Sequence, residues 1–169
     1  MTNELSGRLT FRIFKRGLLS RVAHDLQLSI GSVNARIDGS GVSAEIPLTS
    51  FVVDGALKGG RVLPGVISPK DTETILDNVR SAVLETDVYP VALLHGQIDH
   101  KTTNFVGQLT LKGRVVAVTF PVKVEAGRFE GVVEILPSNW GIAPFRALLG
   151  AIQLQDRVEV GFQFGTGGH

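Results

Sequence analysis

Residues 105–111 and 115–124 carry an apolar or small side chain at every second position. Side chains alternate between the two faces of a strand, so each segment predicts a β-strand with one apolar face. Lys112-Gly113, in the short break between the segments, suits a tight hairpin turn. We therefore predict a β-hairpin with one side buried.

The same alternation recurs in six other segments, each of which predicts a further strand. Their first apolar residues are Leu9, Leu26, Val42, Val91, Phe129 and Val158. In the second of these strands the apolar positions change parity between Ile30 and Val33. One extra residue near Gly31-Ser32 would explain that change, so we predict a β-bulge there.

The segments between the strands contain one convincing helix, at residues 68–85. Ser68 suits its N-cap, Pro69 suits its first turn, and an apolar stripe follows at helical spacing. Residues 49–67 contain several glycines and a proline and predict an irregular connection. We also expect a short second helical turn at residues 145–149 and a frayed tail at residues 165–169.

Eight one-sided antiparallel strands must bury their apolar faces together. Closure of the sheet into a barrel does this and removes the exposed edges. We therefore predict a mainly all-β fold, an eight-stranded antiparallel barrel with one principal α-helix, in a single domain over residues 1–169. A two-sheet sandwich is the structural alternative. Inward Gly107 and Gly131 favour free volume in such a barrel, unless the helix or a phenylalanine fills it.

The amino-acid composition excludes several classes of function for this chain. The 169 residues are 43% hydrophobic and 20% charged, which is typical of a chain that folds alone, and the net charge of +1 gives no broad field for nucleic acid. The absence of cysteine excludes disulfides and thiolate sites. No apolar run reaches the length of a transmembrane helix, so we expect no membrane insertion. We expect a cytoplasmic location as written, or a periplasmic one if an export signal has been removed.

A lipid site needs a continuous apolar lining, and strand parity selects the side chains that face the interior. We predict that ten such side chains bind the ligand, although an ordinary core would show the same pattern. They are Phe11, Ile13, Leu28, Ile30, Phe105, Leu109, Val118, Phe120, Trp140 and Phe162.

Few polar residues are candidates for contacts with a ligand, a metal or a substrate. His24 precedes the second strand and Arg21 belongs to a positively charged stretch, so both are candidate head-group contacts, with a solvated rim as the simpler interpretation. The four scattered histidines do not predict a zinc site. There is no Gly-x-Ser-x-Gly motif and no pair of carboxylates in a defined frame, so we predict no catalytic residue, no metal and no cofactor.

Four stretches, in this order and spacing, resemble the YceI-like family. They are residues 46–55 with their Val-Asp step, residues 71–90 ending in Tyr-Pro, Gly107-Gln-Leu-Thr-Leu-Lys-Gly113, and Ser138-Asn-Trp-Gly-Ile142. The chain differs from the usual family pattern in having Lys112 in place of His and Ala117 in place of Pro. The resemblance implies a lipocalin-like barrel that holds a long isoprenoid or other lipid chain, and it also implies homodimers.

We therefore expect non-catalytic binding, sequestration or transport of a long apolar ligand, such as an isoprenoid, a quinone-like molecule or a fatty-acyl lipid. Residues 68–85 would form a lid or side wall. Two alternatives remain open at this stage. One is a small barrel hydrolase or isomerase, and the other is a protein-interaction module whose barrel is filled.

Overall fold

The computed structural model describes residues 2–16, 24–147 and 152–166. Within them the chain is mainly β-structure, as predicted, but it forms more strands than the eight expected. The strands are β1 (Thr2–Lys15), β2 (Asp25–Asp38), β3 (Gly41–Pro47), β4 (Val52–Lys58), β5 (Arg61–Leu63), β6 (Val91–Asp99), β7 (Asn104–Leu111), β8 (Arg114–Pro121), β9 (Lys123–Glu125), β10 (Arg128–Ile135), β11 (Arg146–Ala147) and β12 (Ile152–Thr166).

The principal helix lies where the sequence predicts it. Helix α1 (Pro69–Asp77) continues into a π-helical turn, Asn78–Val83. The Ser68 hydroxyl accepts a hydrogen bond from the backbone N–H of Asp71 at 3.1 Å, which caps the first turn. The predicted cap is confirmed, and the helical segment ends at Val83, within two residues of the predicted end at residue 85.

The predicted bulge in β2 is also confirmed. Gly7 of β1 pairs with Val33, whereas Leu9 pairs with Ile30, so two residues of β2, Gly31 and Ser32, lie opposite one residue of β1. Because of the extra residue, the apolar side chains on both sides of the bulge face the interior. Ile30 and Val33 are accordingly only 0% and 1% exposed.

Three local predictions are wrong. Residues 49–67 contain the β4–β5 hairpin, which turns at Gly59 and Gly60, both with positive φ, and β4 pairs with the first part of β2. The second helical turn lies at Pro137–Trp140, while Arg146–Ala147 is a strand paired with β12; residues 148–149 lie outside the described residues. The tail begins later than predicted, because Gly165 still pairs with Ser6 and Arg128.

The sheet curls into a barrel-like shape with strand order β8-β7-β6-β3-β2-β1-β12-β10-β9. Its two edge strands, β8 and β9, are consecutive in the chain and are separated only by the buried Val122. The sheet therefore meets itself at one end, which we call the lower end, where the turns are short. At the opposite, upper end, no backbone pairing between β8 and β10 is found among the described residues, so the predicted full closure is not reached.

Candidate functional site

The interior of the curled sheet is apolar along its whole height. A buried cluster runs through it and includes Leu9, Leu28, Ile30, Leu109 and Val160. Around this cluster lie apolar side chains that face inward but remain only half-buried. We call the upper part of this set the upper chamber; its strand residues are Phe11, Ile13, Leu26, Val53, Val116, Val118, Ile135 and Val158.

The helix packs over the upper chamber with its apolar stripe only half-buried. Ile75, Leu76, Val79 and Val83 contact the buried cluster, yet neither α1 nor the π-helical turn contains a buried residue. A helix that packed fully on the sheet would bury such a stripe. The apolar stripe therefore packs against the cluster while its side chains remain partly exposed to solvent.

The lower end of the interior is filled by phenylalanine rings. The Phe105 and Phe120 rings stack at a centroid distance of 4.8 Å, and Phe120 meets Phe162 edge-to-face at 5.4 Å. Phe105 is 2% exposed. We call these three rings the aromatic floor.

Inward-facing glycines make room for the floor. A Cβ atom built at Gly107 would lie 2.7 Å from Cζ of Phe105, and one at Gly131 would lie 2.6 Å from Cζ of Phe162. Real Cβ atoms do not approach carbon this closely, so the rings occupy the volume that the glycines leave. Gly96 supports Phe105 in the same way. Phenylalanine side chains thus fill the space at Gly107 and Gly131.

Trp140 fastens the upper end. Its indole N–H donates to the carbonyl oxygen of Leu109 at 2.9 Å, and the side chain is 4% exposed. The turn that carries it is held by Asp156 of β12, whose carboxylate accepts hydrogen bonds from the backbone N–H and the hydroxyl of Ser138. The Ser-Asn-Trp segment therefore covers the gap between β8 and β10.

The ten predicted lining residues separate into two groups. Eight belong to the main cluster or contact it: Phe11, Ile13, Leu28, Ile30, Leu109, Val118, Trp140 and Phe162. The other two, Phe105 and Phe120, lie in the aromatic floor below it. All ten face the interior, and whether they touch a ligand stays a prediction.

Only one of the two candidate head-group contacts lies in the described part of the chain. His24 is exposed next to the start of β2 at the upper end. Arg21 lies outside the described residues. Within the described part of the chain, no group of three or more His, Asp or Glu side chains could hold a metal ion.

One polar group with several partners, Asp54, lies on the outer wall. The Asp54 carboxylate accepts hydrogen bonds from Gln27 at 2.9 Å and Ser29 at 2.8 Å, and it lies 3.5 Å from the guanidinium of Arg8. A polar groove of about 570 Å³ next to it includes Arg12 and Glu159. At the lower end, the backbone N–H of Lys101 donates to Asp99 and holds the pKa of that carboxyl below its ordinary value.

Sequence reasoning missed two contributors to the site. Phe51 is 8% exposed and packs edge-to-face on Phe11 at 5.0 Å, but it falls in the segment that was expected to be irregular. Lys112 reaches from the β7–β8 turn to the end of the helical segment. No local pattern indicates either contact, because both join elements that are distant in sequence.

The sequence matches the family model of the YceI-like domain over residues 5–165. The chain belongs to the YceI-like domain family. No curated protein matches it. In the part of this YceI-like domain that the structure describes, no helix is long and apolar enough to cross a membrane.

Two solved structures share the fold. A domain from Saccharophagus degradans, described as a polyisoprenoid binding domain implicated in plant cell wall breakdown, has a TM-score of 0.63 at 13% identity, covering 99% of this chain and 100% of that one. Burkholderia cenocepacia BcnA has a TM-score of 0.57 at 16% identity, covering 94% of each chain. At these identities the likeness concerns the fold alone.

Proposed function

We propose that this YceI-like domain binds one long apolar chain, an isoprenoid or similar lipid, in the upper chamber and sequesters or carries it without chemical change. The observation that carries the proposal is the helix stripe. Leu76, Val79 and their neighbours face the apolar interior, yet no residue of α1 or of the π-helical turn is buried. An apolar chain between helix and sheet would remove both surfaces from water.

The energetics favour a long ligand. Burial of one methylene contributes about 0.8 kcal/mol, so ten contribute about 8 kcal/mol. Association costs roughly 4–15 kcal/mol because the ligand loses translational and rotational freedom. A short chain would not offset that cost, whereas a chain that spans the chamber would.

The position of the polar groups supports binding over catalysis. The main cluster and the half-buried apolar side chains packed against it line the interior, while Asp54 and its hydrogen-bond donors lie on the outer wall. A long isoprenoid has few groups that need a hydrogen-bond partner, so it suits such an apolar lining. A polar head group would then remain at the upper end, near the exposed His24. The solved S. degradans relative, described as polyisoprenoid binding, supports the same ligand class.

Native mass spectrometry with organic extraction tests the proposal. Freshly purified protein should retain an extractable lipid, or take up an added long isoprenoid alcohol, at a stoichiometry of one. Val118→Asp should abolish uptake because it places a charge in the lining. Ala117→Asp is the matched control, since Ala117 is exposed on the opposite face of β8, and it should bind normally.

A folded wild-type protein that neither retains nor takes up any isoprenoid would contradict the proposal. Equal binding by Val118→Asp and Ala117→Asp would also contradict it, because the ligand would then not contact the inner face of β8.

A further inference from the structure

We infer that the aromatic floor is a length gauge, so that its rings set the longest isoprenoid chain that the interior accepts. The inference rests on the proposed function and adds to it a residue that determines specificity. It assigns Phe120 as the residue of the floor whose truncation would let a longer chain enter.

The three rings of the aromatic floor lie near the lower end of the interior. Phe162 contacts the main buried cluster and so borders the space above. Phe105 pairs across strands with Ile98 and Phe120, one residue pair from the lower turn at residues 100–103. Phe105 and Phe120 are cross-strand partners and Phe120 meets Phe162, so an apolar chain that descends from the upper chamber meets the three rings at about the same height.

Two of the three rings, Phe105 and Phe162, have no space into which they could move. Phe105 lies against Gly96 and Gly107, and Phe162 lies against Gly131, at distances that leave no space behind either ring. Phe105 is also nearly inaccessible to solvent, at 2% exposure. A chain that reaches these rings must stop, because their displacement would push them into the backbone of the neighbouring strands.

The position of Phe120 differs from that of the other two rings. Its ring contacts both of the others and holds them together, yet it is only half-buried. It is carried by β8, which is an edge strand of the sheet. Removal of this ring would open the floor between Phe105 and Phe162 while leaving both glycine-backed rings in place.

The consequence is a length limit that can be measured. In the wild type, affinity should rise along a series of linear isoprenoid alcohols and level off at the homologue that reaches the floor. Phe120→Ala should move that limit to a longer homologue by at least one isoprene unit. Affinity should increase about fourfold for each further methylene that becomes buried.

Phe11→Ala is the matched control. Phe11 is likewise a half-buried, inward phenylalanine that meets another ring, Phe51, at 5.0 Å, but it lies in the upper chamber. Its truncation should weaken binding of every homologue and leave the length limit unchanged. The experiment is a titration of wild type and both variants with alcohols from farnesol upward, followed by native mass spectrometry.

An unchanged limit in folded Phe120→Ala would overturn the length gauge while leaving the proposed function intact. Failure of the wild type to bind any homologue would instead remove the proposed function itself. If Phe120→Ala does not unfold cooperatively, Phe120→Leu takes its place. That variant keeps an apolar side chain but removes the ring, and it should shift the limit in the same direction by a smaller amount; no shift in this variant would also overturn the inference.

Discussion

Lys112 joins two elements that are far apart in the sequence by donating a hydrogen bond from Nζ to the carbonyl oxygen of Val83 at 3.2 Å. The same ammonium group lies 2.9 Å from the carboxylate of Glu85. Val83 ends the helical segment, where carbonyl groups lack helical partners and a positive charge is favourable. The β7–β8 turn therefore holds the C-terminal end of the helix that covers the upper chamber.

Lys112→Met should loosen this end of the helix. The side chain is only 22% exposed, so we expect a loss of about 1 kcal/mol in the free energy of unfolding. Hydrogen exchange of residues 78–85 should accelerate more than exchange of the sheet. Lys123→Met is the control, because the Lys123 ion pairs are well exposed, and it should change neither quantity. Equal exchange in both variants would show that Lys112 does not hold the helix.

Trp140→Phe should destabilise the fold although it conserves most of the ring. It removes the donor to the buried Leu109 carbonyl and leaves a small cavity, at a cost of about 2 kcal/mol. Urea unfolding followed by circular dichroism measures the loss. Phe14→Leu changes an aromatic residue that stacks on the Arg157 guanidinium, and it should cost less than about 0.5 kcal/mol. A Trp140→Phe protein as stable as wild type would refute the role of the indole N–H.

Asp54→Ala should weaken the attachment of β4 to β2 on the outer wall. It removes the acceptor shared by Gln27 and Ser29, and Ser29 is 4% exposed. A buried hydroxyl without its acceptor costs about 1–3 kcal/mol. Glu125→Ala removes a highly exposed carboxylate and is the control for loss of charge. Thermal unfolding of both variants gives the comparison, and equal midpoints would contradict the prediction.

Leu76→Ser should separate ligand binding from stability. No residue of α1 is buried, so the free energy of unfolding of the ligand-free protein should fall by less than about 1 kcal/mol. Affinity for a long isoprenoid should fall about tenfold or more, because Leu76 faces the chamber. Asp77→Ser, on the exposed face of the same helix, should bind as wild type does. Unchanged affinity in Leu76→Ser would exclude the helix stripe from the binding site.

The sequence predicts those features that depend on local periodicity. The β2 bulge is one example, because Ile30 and Val33 can both face inward only if an extra residue lies between them. The Ser68 cap and the apolar stripe of the helix are others. The inward orientation of the nine predicted lining residues on strands follows from the same alternation, whereas Trp140 lies in a turn.

Features that depend on long-range pairing were not predictable in this way. In β4, Gly55 and Ala56 are adjacent and both buried, so the alternation that marks a strand is lost. The division of the interior into a chamber and a floor depends on which phenylalanine meets which glycine across strands, as Phe162 meets Gly131. The bond from Trp140 to Leu109 depends in the same way on how the sheet curls.

Methyl-group NMR of the ligand-bound protein tests the central claim most directly. With a long isoprenoid alcohol bound, nuclear Overhauser contacts should join ligand protons to the inward methyl groups of Ile13, Val118 and Val158. The outward methyl groups of Val106, Val115 and Val132, which are 52–56% exposed, are the built-in control and should show none. Contacts to the outward valines, or contacts to neither set in a saturated sample, would contradict a ligand held inside the curled sheet.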